Sequence, residues 1–443
     1  MILSFKDRYD RKRIPIDEIK AGMKIEIPLP WFRHPFWRSR FTIKSEEQIK
    51  KIKALGIPFV FVLEPKTSKN FESIAKNNAK ETEEAGINQV IGISIDDRSE
   101  VIETSGDKTA KHPEEHLSLA KLHHLKSQKC MKAYEQTLIE VKTLLNGILF
   151  FSKESLEDAE KMMKNVVDKL INDTSTMLFL INVKQKKEEV FHHALNVCML
   201  SLLLARACDI SAEDMITIGL GALFHDIGKL KIPKSLLLKT APLTKPERAF
   251  LQLHPQFGLD IVSNIESFPA EPKRIIGEHH ETLDGKGYPK GLKGNQIGIT
   301  TRIVSIVNTY DNLCNPMIIE KAMTPYHALA FMYKKMKDKL DVKFMEVFIK
   351  LLGIYPPGTI VKLSNGAIGI VIAKSAIHPH KPSVLIYDPE TPPSRAPIIS
   401  LEENPSLRIE KTLHPSSLSQ EVLYYLNPPL RISYMPDFLS DKK

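Results

Sequence analysis

From about residue 113 to residue 352, apolar positions recur every three to four residues, the spacing that builds helices with one buried face. Pro113 suits a first helical turn. Ser155 is placed to cap a helix whose Leu156, Ala159, Met163, Val166, Leu170 and Ile171 form one apolar face. Ser211 is placed to cap another, running over Ala212–Lys229. The methionines at helical spacing read as core filler.

The pattern differs on either side. Residues 1–65 read as a small α+β domain, with strand-like pieces around Met23–Ile27 and Pro58–Leu63. A helix over Ser45–Leu55 lies between them, with Ser45 as its cap and Ile49, Ile52 and Leu55 on one face. Residues 66–112 are polar and read as a linker of disordered composition. After Tyr355–Gly358 come short apolar strands, Thr359–Leu363, Ala367–Ile372 and Val384–Tyr387, the first two joined at the turn Ser364-Asn365-Gly366. The expected fold class is therefore mainly α. The expected domains are 1–65, the linker 66–112, a helical domain 113–354, and a β appendage with its tail at 355–443.

Length and charge narrow the picture a little. A chain of 443 residues is expected to form two or three domains. Its net charge of +9 suits an anionic partner such as a nucleotide, although the charge is spread along the chain. The apolar runs Met177–Val183 and Val197–Ala207 read as too short to span a bilayer, and the first residues lack a signal peptide's apolar core. The cysteines, Cys130, Cys198, Cys208 and Cys314, are scattered and read as reduced thiols of a cytoplasmic protein. The segment Trp31–Phe41 mixes aromatics with cations, a composition that can stack bases but more often docks a loop on its own protein.

Candidate chemistry centres on the pair His225-Asp226, followed by Lys229. An imidazole, a carboxylate and a nearby cation are what metal-assisted attack on a phosphate ester requires. Similar donors recur at a distance. Glu189 and His193 are four apart and share a helix face. His254 precedes Pro255, and His279-His280 ends a helical run. The turn Glu281–Pro289 follows, where Gly285 and Gly287 permit tight geometry and Lys286 can approach an anion. Asn308 and Asp311 lie on a later helix. His192 reads as a hydrogen-bonded core histidine. Each donor alone has an ordinary structural explanation, but all of them holding independently is a poor account of the set. Imidazole plus carboxylate without thiolate favours a first-row metal.

Residues 186–352 resemble an HD-GYP domain, the bacterial subclass of the HD superfamily that hydrolyses cyclic di-GMP. The matching motifs are His-Ala-Leu-Asn-Val (193–197), His-Asp-Ile-Gly-Lys (225–229), the His254-Pro255 step, the run 279–289 ending in Gly-Tyr-Pro, and Lys-Ala-Met-Thr-Pro (321–325). Residues 10–65 resemble a domain of unknown function that precedes some HD-GYP domains, and the β appendage and the ending, Tyr424–Pro428 to Arg431–Tyr434, fit that architecture. The resemblance implies an HD-superfamily helical fold and a site holding two or three divalent ions, Fe or Mn. It implies His193, His225, Asp226, His254, His279 and His280 as ligands, with Asp226 bridging, and Glu189 as the carboxylate of a third ion. Asp226 and Lys229 would carry catalysis. Lys229, Gly285, Lys286, Tyr288 and Lys321 would meet substrate.

Two departures from the family stand out. Asn308 replaces an aspartate ligand, so it can still coordinate but without charge. Met317–Glu320 replaces a stretch that carries phosphate-binding cations. Each charge-assisted contact contributes about 1.5–3 kcal/mol, so their loss bears on affinity. The leading expectation is a cyclic di-GMP phosphodiesterase in which a metal-bridging hydroxide attacks phosphorus, giving pGpG and then GMP. The alternatives are a weakened or inactive HD-GYP protein acting as a metal- or nucleotide-binding scaffold, and an HD hydrolase for another phosphate ester. Residues 1–65 offer a surface for protein partners, and the sequence is compatible with a homodimer.

Overall fold

A computed structural model of the chain describes residues 9–26, 40–43, 45–53, 59–65, 113–172, 178–182, 189–375 and 378–437. Expectations for most of Trp31–Phe41 and for the polar linker 66–112 lie outside these residues, as does Leu55. The chain separates into two compact units, one formed by the residues before the linker and one by those after it.

The first unit contains β1 (Tyr9–Pro15), β2 (Lys24–Glu26), β3 (Arg40–Thr42), α1 (Glu46–Lys53) and β4 (Phe59–Pro65). Its strands form one antiparallel sheet in the order β1-β4-β2-β3. Ile14, Ile19, Ile25, Ile43, Ile49, Ile52 and Val60 fill the core. Ser45 accepts the Gln48 N–H at the start of α1, as its sequence position predicts.

The second unit is mainly helical. It begins with α2 (Pro113–Leu149), α3 (Lys153–Asn172), β5 (Leu178–Asn182), α4 (Glu189–Ala207) and α5 (Ala212–Phe224). It continues through α6 (Lys234–Leu237), α7 (Lys245–Leu251), α8 (His254–Ser263), α9 (Ala270–Glu278), α10 (Ile299–Cys314), α11 (Pro325–Lys335) and α12 (Val342–Leu352). Two local expectations need correction. Ser152, not Ser155, caps α3: its hydroxyl accepts the Ser155 N–H at 3.1 Å. Ile171 lies off the buried face, being 49% exposed, because one residue beyond Leu170 turns about 100° away.

α4 lies in the middle of the helical layer, against α5, α10 and α12. Leu195, Val197, Cys198, Leu200, Leu202 and Leu204 are fully buried and cover every side of it. Each such leucine or valine contributes about 1.5–3 kcal/mol by leaving water. The window Val190–Ala207 is long and apolar enough to cross a membrane by composition, since Val190 to Asn196 extend the shorter apolar run read from the sequence. In this fold 67% of it is buried among the other helices.

The remaining residues add β6 (Ile360–Leu363), β7 (Ile368–Ala373), β8 (Ser383–Ile386), β9 (Ile398–Ser400), β10 (Ile409–Leu413), α13 (Gln420–Leu426) and β11 (Ile432–Pro436). The first five strands form an antiparallel sheet in the order β10-β6-β7-β8-β9, with the expected hairpin between β6 and β7. β11 leaves that sheet. It pairs antiparallel with β5, with Ile432 opposite Asn182 and Tyr434 opposite Leu180. Ile432, Tyr434 and Met435 thereby enter the main helical core. The Tyr434 hydroxyl donates to Pro357 O at 3.1 Å and meets the Tyr310 hydroxyl at 3.0 Å.

Tyr434→Ala should therefore destabilise the helical unit by about 3–5 kcal/mol, as large aromatic truncations in cores do. Urea unfolding followed by far-UV circular dichroism measures this. A change within 0.5 kcal/mol (roughly that of a surface substitution) would show that β11 does not belong to the core.

Candidate metal centre

The site is built at helix ends. The sequence pattern extends the helix of His225-Asp226 to Lys229, but α5 ends at Phe224 and His225 is its C-cap. The backbone then tightens into a 3-10 turn over Ile227–Lys231. The cause is close packing against α8. A Cβ on Gly228 would lie 1.9 Å from His254 O and 2.5 Å from Gly258 N, so only glycine lets the turn lie there. On an unbroken helix His225 and Asp226 would point about 100° apart. The break lets both face one point and brings His254 beside them.

Three histidines are oriented by one device. The last carbonyls of a helix lack intrahelical partners. His225 Nδ1 donates to Ala222 O at 2.7 Å, His254 Nδ1 to Leu251 O at 2.7 Å, and His279 Nδ1 to Ile276 O at 2.9 Å. A carbonyl can only accept, so the proton sits on Nδ1 and each neutral ring turns the lone pair of Nε2 inward. His193, on α4, is held differently: its Nδ1 donates to Asp311 Oδ2 on α10 at 2.5 Å. Asp311 is fixed in turn by the amide groups of Asn196 and Asn315.

These nitrogens surround Asp226. Its Oδ2 lies 3.3 Å from His193 Nε2, 3.4 Å from His225 Nε2 and 2.5 Å from Lys229 Nζ. Its Oδ1 lies 3.3 Å from His254 Nε2 and 3.6 Å from His279 Nε2. The donor atoms form two tight groups, His193–His225–Asp226 and Asp226–His254–His279–His280, which share the carboxylate. Within them the Nε2 atoms of His193 and His225 are 3.1 Å apart, and those of His254 and His279 are 3.2 Å apart. Asp226 Oδ1 is buried with no hydrogen-bond donor. The inward lone pairs of His225, His254 and His279 and an orphaned buried carboxylate oxygen are satisfied together by a cation, and His193 joins them once it gives up its Nε2 proton, so the residues present fit divalent metal.

Electrostatics prepare most of the ligands. Burial lowers the pKa of His225 and His280 and takes His279 down to about 3, so these rings are neutral at pH 7. Burial would raise the Asp226 pKa, but Lys229 outweighs it and keeps the carboxylate ionised. Burial also disfavours charge on His193, yet Asp226 and Asp311 lift that imidazole to about 9.

The other predicted residues are distributed unevenly. Glu189 begins α4, but its side chain lies outside the described residues. Asn308 is buried, and its Oδ1 accepts from Asn312 Nδ2 at 2.6 Å. A pocket beside Asp226 is lined by Val190, His192, His193, Asp226, Lys229, Leu237, Asp311, Asn312, Asn315, Met317, Arg431 and Ser433. Lys229 thus lines this pocket while bonded to Asp226. Gly285, Lys286, Tyr288 and Lys321 are not among that lining. Tyr288 stacks on His280 with ring centres 4.6 Å apart, whereas the side chains of Lys286 and Lys321 are exposed. His192 is the core histidine expected, 2.8 Å from the Tyr134 hydroxyl.

Three residues of the site act in ways that the sequence did not reveal. Asp311 orients His193. Glu281, buried beneath the Gly-Tyr-Pro turn, accepts the N–H groups of Lys290, Gly291 and Leu292 at 2.6–3.1 Å and so shapes that turn. Arg431 reaches the pocket from the C-terminal segment. Adjacency of a glutamate to two histidines was the available signal for Glu281; for Arg431 it was only that the run Arg431–Tyr434 fits the architecture the sequence resembles.

Comparison with known proteins agrees with this geometry. The family model for the HD domain matches residues 165–344, and one for a domain of unknown function matches residues 11–170. The chain thus contains an HD domain, preceded by a match to that domain of unknown function. A cyclic di-GMP phosphodiesterase of Pseudomonas aeruginosa is 25% identical over 379 residues, covering 85% of each chain. A cyclic di-GMP phosphodiesterase response regulator of Xanthomonas campestris is 32% identical over 33% of this chain and 39% of its own length. A 3'3'-cGAMP-specific phosphodiesterase of Vibrio cholerae is 33% identical over 37% of this chain and 35% of its own. The chain thus spans less than half the length of the last two relatives.

The raised His193 pKa of this HD-domain protein has a definite sign. In protein stripped of metal by a chelator, the charged ring stabilises the fold fully below its ordinary pKa of 6.5, and that stability is lost as pH rises through about 9. Urea unfolding between pH 6 and 10 should show the loss, and Asp311→Asn should reduce it. A His193 ring that titrates by NMR at or below 6.5 would refute the arrangement.

Proposed function

We propose that this chain is a metal-dependent phosphodiesterase that hydrolyses cyclic di-GMP to pGpG and onward to GMP. The observation that carries the reading is the pair of donor groups sharing Asp226. His193 and His225 would hold one ion with Asp226; His254, His279 and His280 would hold the other. Glu189 is assigned to a third ion, and Asn308 to a neutral ligand position. Donor chemistry of imidazole and carboxylate without thiolate suits Fe or Mn. Such ions, when bound, supply Lewis acidity and a water acidic enough to attack phosphorus at neutral pH.

The residues do the rest. Nδ1 hydrogen bonds preset four imidazoles, so little reorganisation accompanies binding. Lys229, on the pocket wall, stabilises charge on the phosphate oxygens. Tyr288, stacked on His280, packs the far side of the centre. The relative from Pseudomonas aeruginosa, aligned over most of both chains, is named for cyclic di-GMP, and that favours this dinucleotide. Residues 1–65 are assigned to docking or regulation, and the buried free thiols of Cys130, Cys198 and Cys314 suit the cytoplasm.

The test is turnover. Protein purified with Mn or Fe should hold near-stoichiometric metal and convert cyclic di-GMP to pGpG, followed by chromatography. Asp226→Asn should lower both metal content and rate, the rate by at least about 100-fold. Fully loaded protein that leaves cyclic di-GMP intact would refute the reading in favour of a binding scaffold. Asn308→Asp should increase metal retention under chelator challenge; unchanged retention would remove Asn308 from the ligand set.

A further inference from the structure

Three of the site's histidines lean on backbone, but His193 leans on a side chain. Its Nδ1 donates to Asp311 Oδ2, so its aim is only as firm as that carboxylate. Asp311 is buried, and a buried carboxylate stays in one orientation only when donors hold it. Its Oδ1 accepts from the amide groups of Asn196 and Asn315, the second at 2.9 Å. Asn196 lies one turn beyond His193 on α4, and Asn315 is the C-cap of α10.

Both asparagines also grip the C-terminal strand. Their amide groups donate to Ile432 O, at 3.2 Å from Asn196 and 2.7 Å from Asn315. Their side-chain oxygens accept from the same strand, Asn315 from the Ile432 N–H at 2.7 Å and Asn196 from the Tyr434 N–H at 3.1 Å. Ile432 and Tyr434 are two apart, so they present their N–H groups on one edge of β11, and the opposite edge is left to pair with β5. The asparagines thus stand where a third strand would. Neither carboxamide can turn over, because that would set its NH2 against a backbone N–H and its oxygen against Asp311 Oδ1 and Ile432 O. We propose that Asn196 and Asn315 are positioning residues that link the seating of β11 to the ion held by His193, His225 and Asp226; the proposal rests on the metal assignment made above.

The link has a direction. A seated β11 fixes the asparagines, they fix Asp311, and Asp311 aims the Nε2 of His193. An ion that needs that aim favours the seated strand, and by reciprocity the seated strand favours the ion. His254 and His279 take their aim from Leu251 O and Ile276 O, which belong to other segments, so the second donor group is independent of β11. A two-stranded pairing such as β5 with β11 is marginal by itself, which leaves room for the ion to stabilise it.

The experiment strips the full chain of metal, titrates it with Mn by calorimetry, and counts the ions bound. Hydrogen exchange in β11 and in β7 is followed by mass spectrometry with and without Mn. Asn315→Ala should weaken one ion by about 10- to 100-fold, the usual effect of losing a residue that supports a ligand, and leave the rest within about threefold. In wild type Mn should slow exchange in β11 more than in β7, and Asn315→Ala should erase that difference. Leu156→Ala, a truncation in the α3 core, is the control for lost stability: the melting temperature falls, and every ion should stay within about threefold of wild type. Unchanged affinities in Asn315→Ala would overturn the proposal. Equal weakening of all ions there, or the same selective loss in Leu156→Ala, would overturn it too, because the network would then only hold the fold together. Should Asn315→Ala fail to fold, the wild-type exchange decides alone, and slowing in β11 no greater than in β7 is the refuting result. Wild type that binds no Mn overturns the metal assignment itself, a result distinct from these.

Discussion

The structure depends on one buried carboxylate. Asp226 is almost fully enclosed, yet its two oxygens face opposite ways, one toward His193 and His225 and the other toward His254 and His279. A buried carboxylate is tolerable only with strong compensation. Lys229 supplies part of it, and the imidazole nitrogens facing both oxygens fit a cation that would supply the rest. The helical layer is arranged so that residues from α4, the α5 end, α8 and the α9 end reach that single group.

Precision at the centre comes from backbone, not from long side-chain networks. Three histidines sit where helices stop, because that is where carbonyls stand unpaired and can lock a ring. Gly228 permits the tight approach that sets two of those helix ends side by side. Only His193, in the interior of α4, needs a side-chain carboxylate to orient it, and it is the one imidazole whose pKa is raised.

The C-terminal strand changes the meaning of the β region. By sequence, residues after 355 look like an appendage. In the fold, β11 crosses back to β5, buries Tyr434 in the helical core, and bonds through Asn196 and Asn315 to the carboxylate that holds His193. Stability, ligand orientation and the pocket wall therefore share one segment.

Periodicity and residue chemistry alone determined the helical class, the N-terminal α+β unit and the hairpin at Ser364–Gly366, and they offered His193, His225, Asp226, His254, His279 and His280 as donors that a family resemblance joined into one set. These are local properties: helix period, turn composition and donor softness are all written within a few residues. Tertiary packing decided the rest. The helix of His225 ends at Phe224 because α8 presses on Gly228, a contact that no local pattern contains. Asp311 lies 118 residues from the histidine it orients, and Asn315 lies 117 residues from the strand it clamps. The run Arg431–Tyr434 fits the architecture the sequence resembles, but its place beside the pocket follows from the pairing of β11 with β5, a long-range register that no local pattern contains.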